Sequence, residues 1–365
     1  MIIKNKFQKD VTVTSQVTVT FLIFFLHASF SVAQDSHDNW HWKHRLQWGL
    51  DYDSNVAEAR LNQQSDGLTK LILETQGKLT SRSYLIHLQY HGGFQYYFQT
   101  SAEHKMTHEA SGTFIYQLLP KVRFGTSLWG RLKYFNGYDW HYFIKSSELF
   151  LTFNFLTAQL TAGYENESLN YLNYHRFNFN THHVSFSLAR RIVPPLTGQI
   201  KSGYRSINFQ RQAISAKSQE LSIDYLNFRQ QDDHYYFSIQ ASLPKKVLSN
   251  LNYQFSRNLS NSYGFSYREH RVALSLICPL HQKLLLRIYG GLQRKQYDEA
   301  LNKIINTELD TEREISNFFI ADFSTDLTDH LSLLLRYSWY NNESPVPGRY
   351  YQKTLLSCSL EYRFY

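Results

Sequence analysis

The feature that most constrains this chain is an alternation of apolar and polar residues with a period of two. It recurs in segments of roughly 10–13 residues from Trp40 to the last residue. In 122–134, Val122, Phe124, Thr126, Leu128, Gly130, Leu132 and Tyr134 share one side, against Arg123, Ser127, Arg131 and Lys133. Leu149, Leu151 and Phe153 alternate with Glu148 and Asn154, and Tyr84, Ile86, Leu88 and Tyr90 with His87, Gln89 and His91. Leu331, Leu333, Leu335, Tyr337 and Trp339 oppose Ser332, Arg336 and Ser338. Successive side chains on a strand point to opposite faces, so each segment reads as a strand with one greasy and one polar side. Soluble strands average about 5–6 residues, whereas tilted strands that cross a membrane need about 9–11. Length therefore separates this chain from a soluble β-sandwich.

Composition fits the same picture. Mean hydropathy is −0.44, a polar value. Yet 27 Tyr, 26 Phe and 6 Trp make up 16% of the 365 residues. A membrane barrel needs this combination, because one face meets lipid, the other meets water, and aromatic rings gather at the two interfaces. The net charge of +8 is spread singly along the chain, without the basic helix or tail of a nucleic-acid binder, so no nucleic-acid partner is expected. Two cysteines, Cys278 and Cys358, cannot build a disulfide framework. Both fall on the apolar side of strands four apart, beyond bonding reach.

The connections sort into short and long. Short ones fall near 80–82, 119–121, 156–157, 193–195, 244–246, 279–282 and 328–330; long polar ones near 54–66, 93–103, 165–177, 294–312 and 341–348. Tight turns at one end and longer loops at the other are the pattern of outer-membrane barrels. Seven short turns and eight loops predict an all-β, up-and-down antiparallel transmembrane barrel of about sixteen strands, with fourteen or eighteen as alternatives. Residues 206–233 carry a further alternating run (Leu221, Ile223, Tyr225) that reads as part of a surface hairpin.

Residues 1–33 read as a cleavable signal peptide: Lys4, Lys6 and Lys9, an apolar core at 21–26, then Ser31-Val32-Ala33. Residues 34–365 would be the barrel. The short segment before the first strand leaves no room for a plug or repeat domain. The final segment places Leu356, Cys358, Leu360, Tyr362 and Phe364 on one face and ends at Tyr365. It resembles the C-terminal strand that barrel-assembly machinery recognises, with Tyr365 one position out of phase. Near the other end, 48–56 reads WGLDYDSNV, similar to the first strand and Tyr-Asp-Ser-Asn-Val loop of porin-like Gram-negative outer-membrane barrels. That resemblance implies residence in outer-membrane lipid and assembly through Leu360, Tyr362, Phe364 and Tyr365.

Motifs for chemistry are thin. Asp51, Asp53 and Asn55 imitate the start of a calcium loop, but its sixth and twelfth positions hold Val56 and Asn62, so a polar strand end entering a surface loop is expected. Sixteen histidines invite a metal reading, yet His182 and His183 point to opposite faces, and His87 and His91 lie ~13 Å apart along a strand. They read as polar lumen residues, and neither metal nor cofactor is expected. A lipid-modifying enzyme is an alternative, but no G-x-S-x-G motif supports it.

The inward parity carries the functional signal. Its expected pore-lining residues are Arg123, Arg131, Lys133, Glu148, Lys201, Arg205, Arg287, Asp322 and Arg336. Arg45, Arg271, Lys283, Lys353 and Arg363 join them, with Glu74, Asp326 and Glu361 as further acids. Excess base predicts a hydrophilic pore for small, anion-leaning solutes, with loop 294–312 as constriction. The alternative is a sealed barrel that displays its loops. No segment marks an oligomer interface.

Overall fold

A computed structural model describes residues 40–59, 61–216, 223–299, 317–342 and 351–364. The signal-peptide region, Leu221, most of 294–312 and Tyr365 lie outside them.

Sixteen strands follow one another in the chain. The first eight are β1 (Trp40–Asp53), β2 (Asp66–Thr80), β3 (Tyr84–Tyr97), β4 (Lys105–Leu119), β5 (Val122–Phe135), β6 (Tyr142–Asn154), β7 (Ala158–Tyr171) and β8 (Phe179–Val193). The rest are β9 (Leu196–Ala216), β10 (Ile223–Pro244), β11 (Leu248–Ser260), β12 (Tyr267–His281), β13 (Leu284–Tyr297), β14 (Asn317–Asp326), β15 (Leu331–Asn342) and β16 (Tyr351–Phe364). Each pairs antiparallel with its sequence neighbours, and β1 closes on β16 through Leu46↔Tyr362 and Trp48↔Leu360. The sheet is a closed barrel. Closure leaves no edge strand, so the ladder satisfies backbone groups without water. The seven short connections sit at one end, with both described chain termini; the loops sit at the other.

Three expected boundaries move. β3 continues to Tyr97, β7 to Tyr171 and β13 to Tyr297, each beyond where a loop was expected to begin. These strand tops carry Gly, Asn and Gln, which resemble loop residues locally but pair in register with the next strand. The described residues of the 206–233 segment belong to β9 and β10, of 21 and 22 residues, which pair with each other past two register shifts between Tyr225 and Gln231. It adds length to two strands and no strand to the barrel.

The outward face carries an apolar band. Trp48, Leu50, Leu149, Leu151, Phe186, Ile239, Leu274, Leu335 and Leu356 all lie on it, between 39% and 54% exposed. Polar outward side chains occur above and below the band: Lys145, Asn166 and Arg268 toward the loops, Arg190 toward the turns. At its loop-side margin, tyrosine hydroxyls meet polar partners on the neighbouring strand. Tyr90 pairs with His108 at 2.8 Å, Tyr164 with His182 at 2.7 Å and Tyr253 with His270 at 2.9 Å, while Tyr204 donates to Asp233 at 2.6 Å. A ring lodged in apolar surroundings with its hydroxyl turned to a wet zone is what an interfacial girdle requires. These histidines correct the expectation that they line the lumen: His182 faces outward and only its neighbour His183 faces in. Cys278 and Cys358 are free thiols on the outward parity of β12 and β16.

Candidate functional site

Sixteen strands ~4.8 Å apart and tilted by ~40° enclose a ring of roughly 100 Å, about 30 Å across between backbones. Wall side chains cannot fill that width, and barrels of this strand number leave an aqueous interior. Inward side chains are indeed open to solvent: those of Arg45 and Arg336 are 39% and 42% exposed.

Arg123, Arg131, Lys133, Glu148, Lys201, Arg205, Arg287, Asp322 and Arg336 all lie on the inward parity. So do Arg45, Arg271, Lys353 and Arg363, whereas Lys283 sits in the β12–β13 turn and projects no strand side chain. The structure divides these charges into two sectors.

Across β13–β16, β1 and β2 the charges neutralise one another. Arg45 reaches Glu74 at 2.9 Å and Glu361 at 3.2 Å, and Arg363 reaches Glu361 and Asp326 at 3.1 Å each. The carboxylate of Asp322, 1% exposed, accepts Nε of Arg336 at 2.6 Å and Nη2 at 2.8 Å, with Arg287 at 3.9 Å. The two parallel N–H donations fix the guanidinium in plane. Lys70 reaches Asp51 at 2.8 Å and donates to Ser357 at 2.7 Å.

On the opposite wall the cations are less committed. Arg131 pairs with Glu109 at 3.0 Å and lies 5.2 Å from the Trp129 ring, while Lys133 sits over Phe135 and Tyr142. Among the described residues Arg123 reaches only the Asn154 amide oxygen, at 3.4 Å. A cavity of about 500 Å³ opens along β7–β12, walled by Lys201, Arg205, Arg271, His183, Tyr236 and Glu165 among others. Glu165 accepts from Ser146 at 2.7 Å and faces His183 Nδ1 at 3.0 Å. On its other side, His183 Nε2 lies 3.0 Å from the Tyr236 hydroxyl. That phenol ring lies flat over Gly203, where a Cβ would come 2.6 Å from it, so only glycine fits beneath.

The loop end narrows the mouth from several sides. The Asp53–Val56 turn folds inward instead of standing in solvent as a surface loop: Asp53 and Asn55 are wholly buried, and Val56 packs on Leu68 and Tyr97. Asp53 takes the Lys353 ammonium at 2.9 Å. Asn55 donates to the carbonyls of Ala59 at 2.8 Å and Gln352 at 2.9 Å and accepts the Ala59 N–H at 2.9 Å. Lysines thus occupy both carboxylates of the apparent calcium motif, and among the described residues no metal-ligand cluster occurs. From another side, residues 172–178 carry Phe177 onto inward Tyr142, Leu169 and Tyr171, with Trp140 stacked on Tyr174 at 4.1 Å. Ser262 and Tyr263 clasp Ile214 of β9, and Arg211 lies over Phe209 and Phe265. Glu103 accepts the Tyr138 hydroxyl at 2.7 Å, which ties two rim loops and pushes that phenol up to about 12.

Sequence reasoning missed Asp53, Asn55 and Phe177 as mouth residues. Their signal is tertiary, since Asp53 is satisfied by Lys353 near the other end of the chain.

No protein-family model and no curated protein matches the chain. Among solved structures it is similar to outer membrane proteins. OmpT of Vibrio cholerae, in a loop L8 deletion form, is 8% identical, with 90% of this chain and 100% of that chain covered and a TM-score of 0.48. OpdK of Pseudomonas aeruginosa, solved with vanillate, is 9% identical over 88% of this chain and 99% of that one, with a TM-score of 0.46. A bacterial polysaccharide outer membrane secretin is 6% identical over 91% and 100%, also at 0.46.

Proposed function

We propose that this chain is an outer-membrane barrel through which small hydrophilic solutes pass passively, with a lean toward anions. One observation carries the reading. A closed sixteen-strand sheet has an outward face of exposed Leu, Ile, Phe and Trp and an inward face of solvated charge. In water that outward band would be an aggregation surface; in a bilayer it is matched to the ~25 Å apolar zone. Among the described residues Arg123, Lys201, Arg205 and Arg271 make no salt bridge, which supports anion preference.

The test is electrical. Refolded protein should give stepwise conductance in planar bilayers, with a reversal potential favouring chloride over potassium. Arg123→Glu should shift that potential toward cations, because it inverts one charge that makes no ion pair among the described residues. Correctly folded protein without conductance would retire the pore reading. The paired sector around Asp322 favours, on its own side only, the second reading of a sealed barrel that acts through its loops.

A further inference from the structure

The wall cavity has a more specific shape than a charged pore lining. In strand register, Lys201 (β9) stands opposite Ser238 (β10), Ser238 opposite Gln254 (β11), and Gln254 opposite Arg271 (β12). This row has a cation at each end and a hydroxyl and an amide between. Arg205 lies four residues along β9 from Lys201 and faces His234 in register. The three cations therefore mark a triangle with two sides of ~13–14 Å and a third, from Arg205 to Arg271, of ~19 Å between backbones, which long side chains reaching inward can close on one small guest.

Two observations indicate that the recess is built for a ligand. Among the described residues, none of Lys201, Arg205 and Arg271 is in a salt bridge; Lys201 instead lies 5.8 Å from the Tyr236 ring. Moreover, Arg205 Nε and His234 Nδ1 are buried and make no hydrogen bond. A buried donor left unmade is costly, and an anionic group in this recess would satisfy it. Of the acids nearby, Glu165 bonds Ser146 and His183, and Glu269 stands in register with Lys295 on β13; Glu148 lies within electrostatic reach of Lys201, and Glu165 and Glu167 within reach of Arg205, none of them close enough for a salt bridge.

We propose that this recess is a binding station for a small organic polycarboxylate, held by charge-assisted bonds from Lys201, Arg205 and Arg271. This deepens the pore reading by naming its solute class. Separated cations distinguish a solute with several carboxylates from one with a single charge. Neutral groups between them, Ser238 and Gln254, accommodate hydroxyls on its backbone.

The experiment is equilibrium titration calorimetry on the full mature chain in detergent micelles, which reads binding whether or not the barrel conducts. Citrate, acetate and inorganic phosphate are the probes. Citrate should bind at one site, ~10-fold or more tighter than acetate or phosphate. Lys201→Gln and Arg271→Gln should each bring citrate toward the acetate level, while Lys121→Gln, exposed in the β4–β5 turn, should leave it unchanged. Gel mobility with and without heating verifies that each variant is folded. Citrate no tighter than acetate, phosphate matching citrate, or affinity untouched by Lys201→Gln and Arg271→Gln would each overturn the assignment. A conducting barrel with that result keeps the pore and loses the station; a binding barrel that never conducts does the reverse.

Discussion

Leu149→Arg will destabilise the folded barrel in lipid by about 2–4 kcal/mol, the cost of a cation on the lipid face near mid-membrane. Leu149 is half exposed on the outward parity of β6, between Thr126 of β5 and Tyr164 of β7. No outward side chain beside it offers a counter-charge, so the guanidinium must either snorkel or drag water into the apolar band. Gln89→Arg is the control: Gln89 is exposed on the inward parity of β3, where a charge stays hydrated. Reversible denaturant unfolding in lipid vesicles measures both. A large loss for Leu149→Arg with little for Gln89→Arg is expected, and equal losses would mean that the two faces do not differ.

Asp53→Ala is expected to cost about 3–5 kcal/mol, the range for removing one partner of a buried ion pair. Asp53 is 0% exposed, and its carboxylate takes the Lys353 ammonium at 2.9 Å and the Asn55 N–H at 3.0 Å. It joins the first loop to the strand that closes the barrel, so its loss strands a cation and frees the turn. The readout is a lower denaturation midpoint together with new protease cleavage within 54–65. Lys353→Met alone should also be costly, because it leaves the buried carboxylate behind. The double variant should lose less than the sum of the two, the signature of a coupled pair. Additive losses would mean the pair is a bystander.

Why the strand count was readable from sequence is physical. A residue on a membrane strand has only two environments, and a period of two records which one it meets. Val122 through Tyr134 shows this: every even position faces out and every odd one in. The same parity fixed which charges face the lumen, from Arg45 to Arg363. What parity does not encode is partnership. That Arg336 is held by Asp322, while Lys201 makes no salt bridge among the described residues, depends on register between strands. His182 shows the limit of composition: a polar ring was expected inside, yet Tyr164 across the next strand lets it sit at the interface. The Asp53–Asn55 turn was hardest of all. Its residues are those of any polar loop, and burial comes only with Lys353 and the Gln352 carbonyl, from the far end of the chain.

The most direct test of the account is accessibility along β5 in membranes. With Cys278 and Cys358 replaced by serine, single cysteines at 126, 127, 128, 129, 130 and 131 would be exposed to a membrane-impermeant maleimide. Odd positions, lining a wet lumen, should label readily, and even positions, turned to lipid, should resist it until the bilayer is dissolved. Uniform labelling, or the opposite phase, would contradict a closed cylinder with hydrocarbon outside and water within.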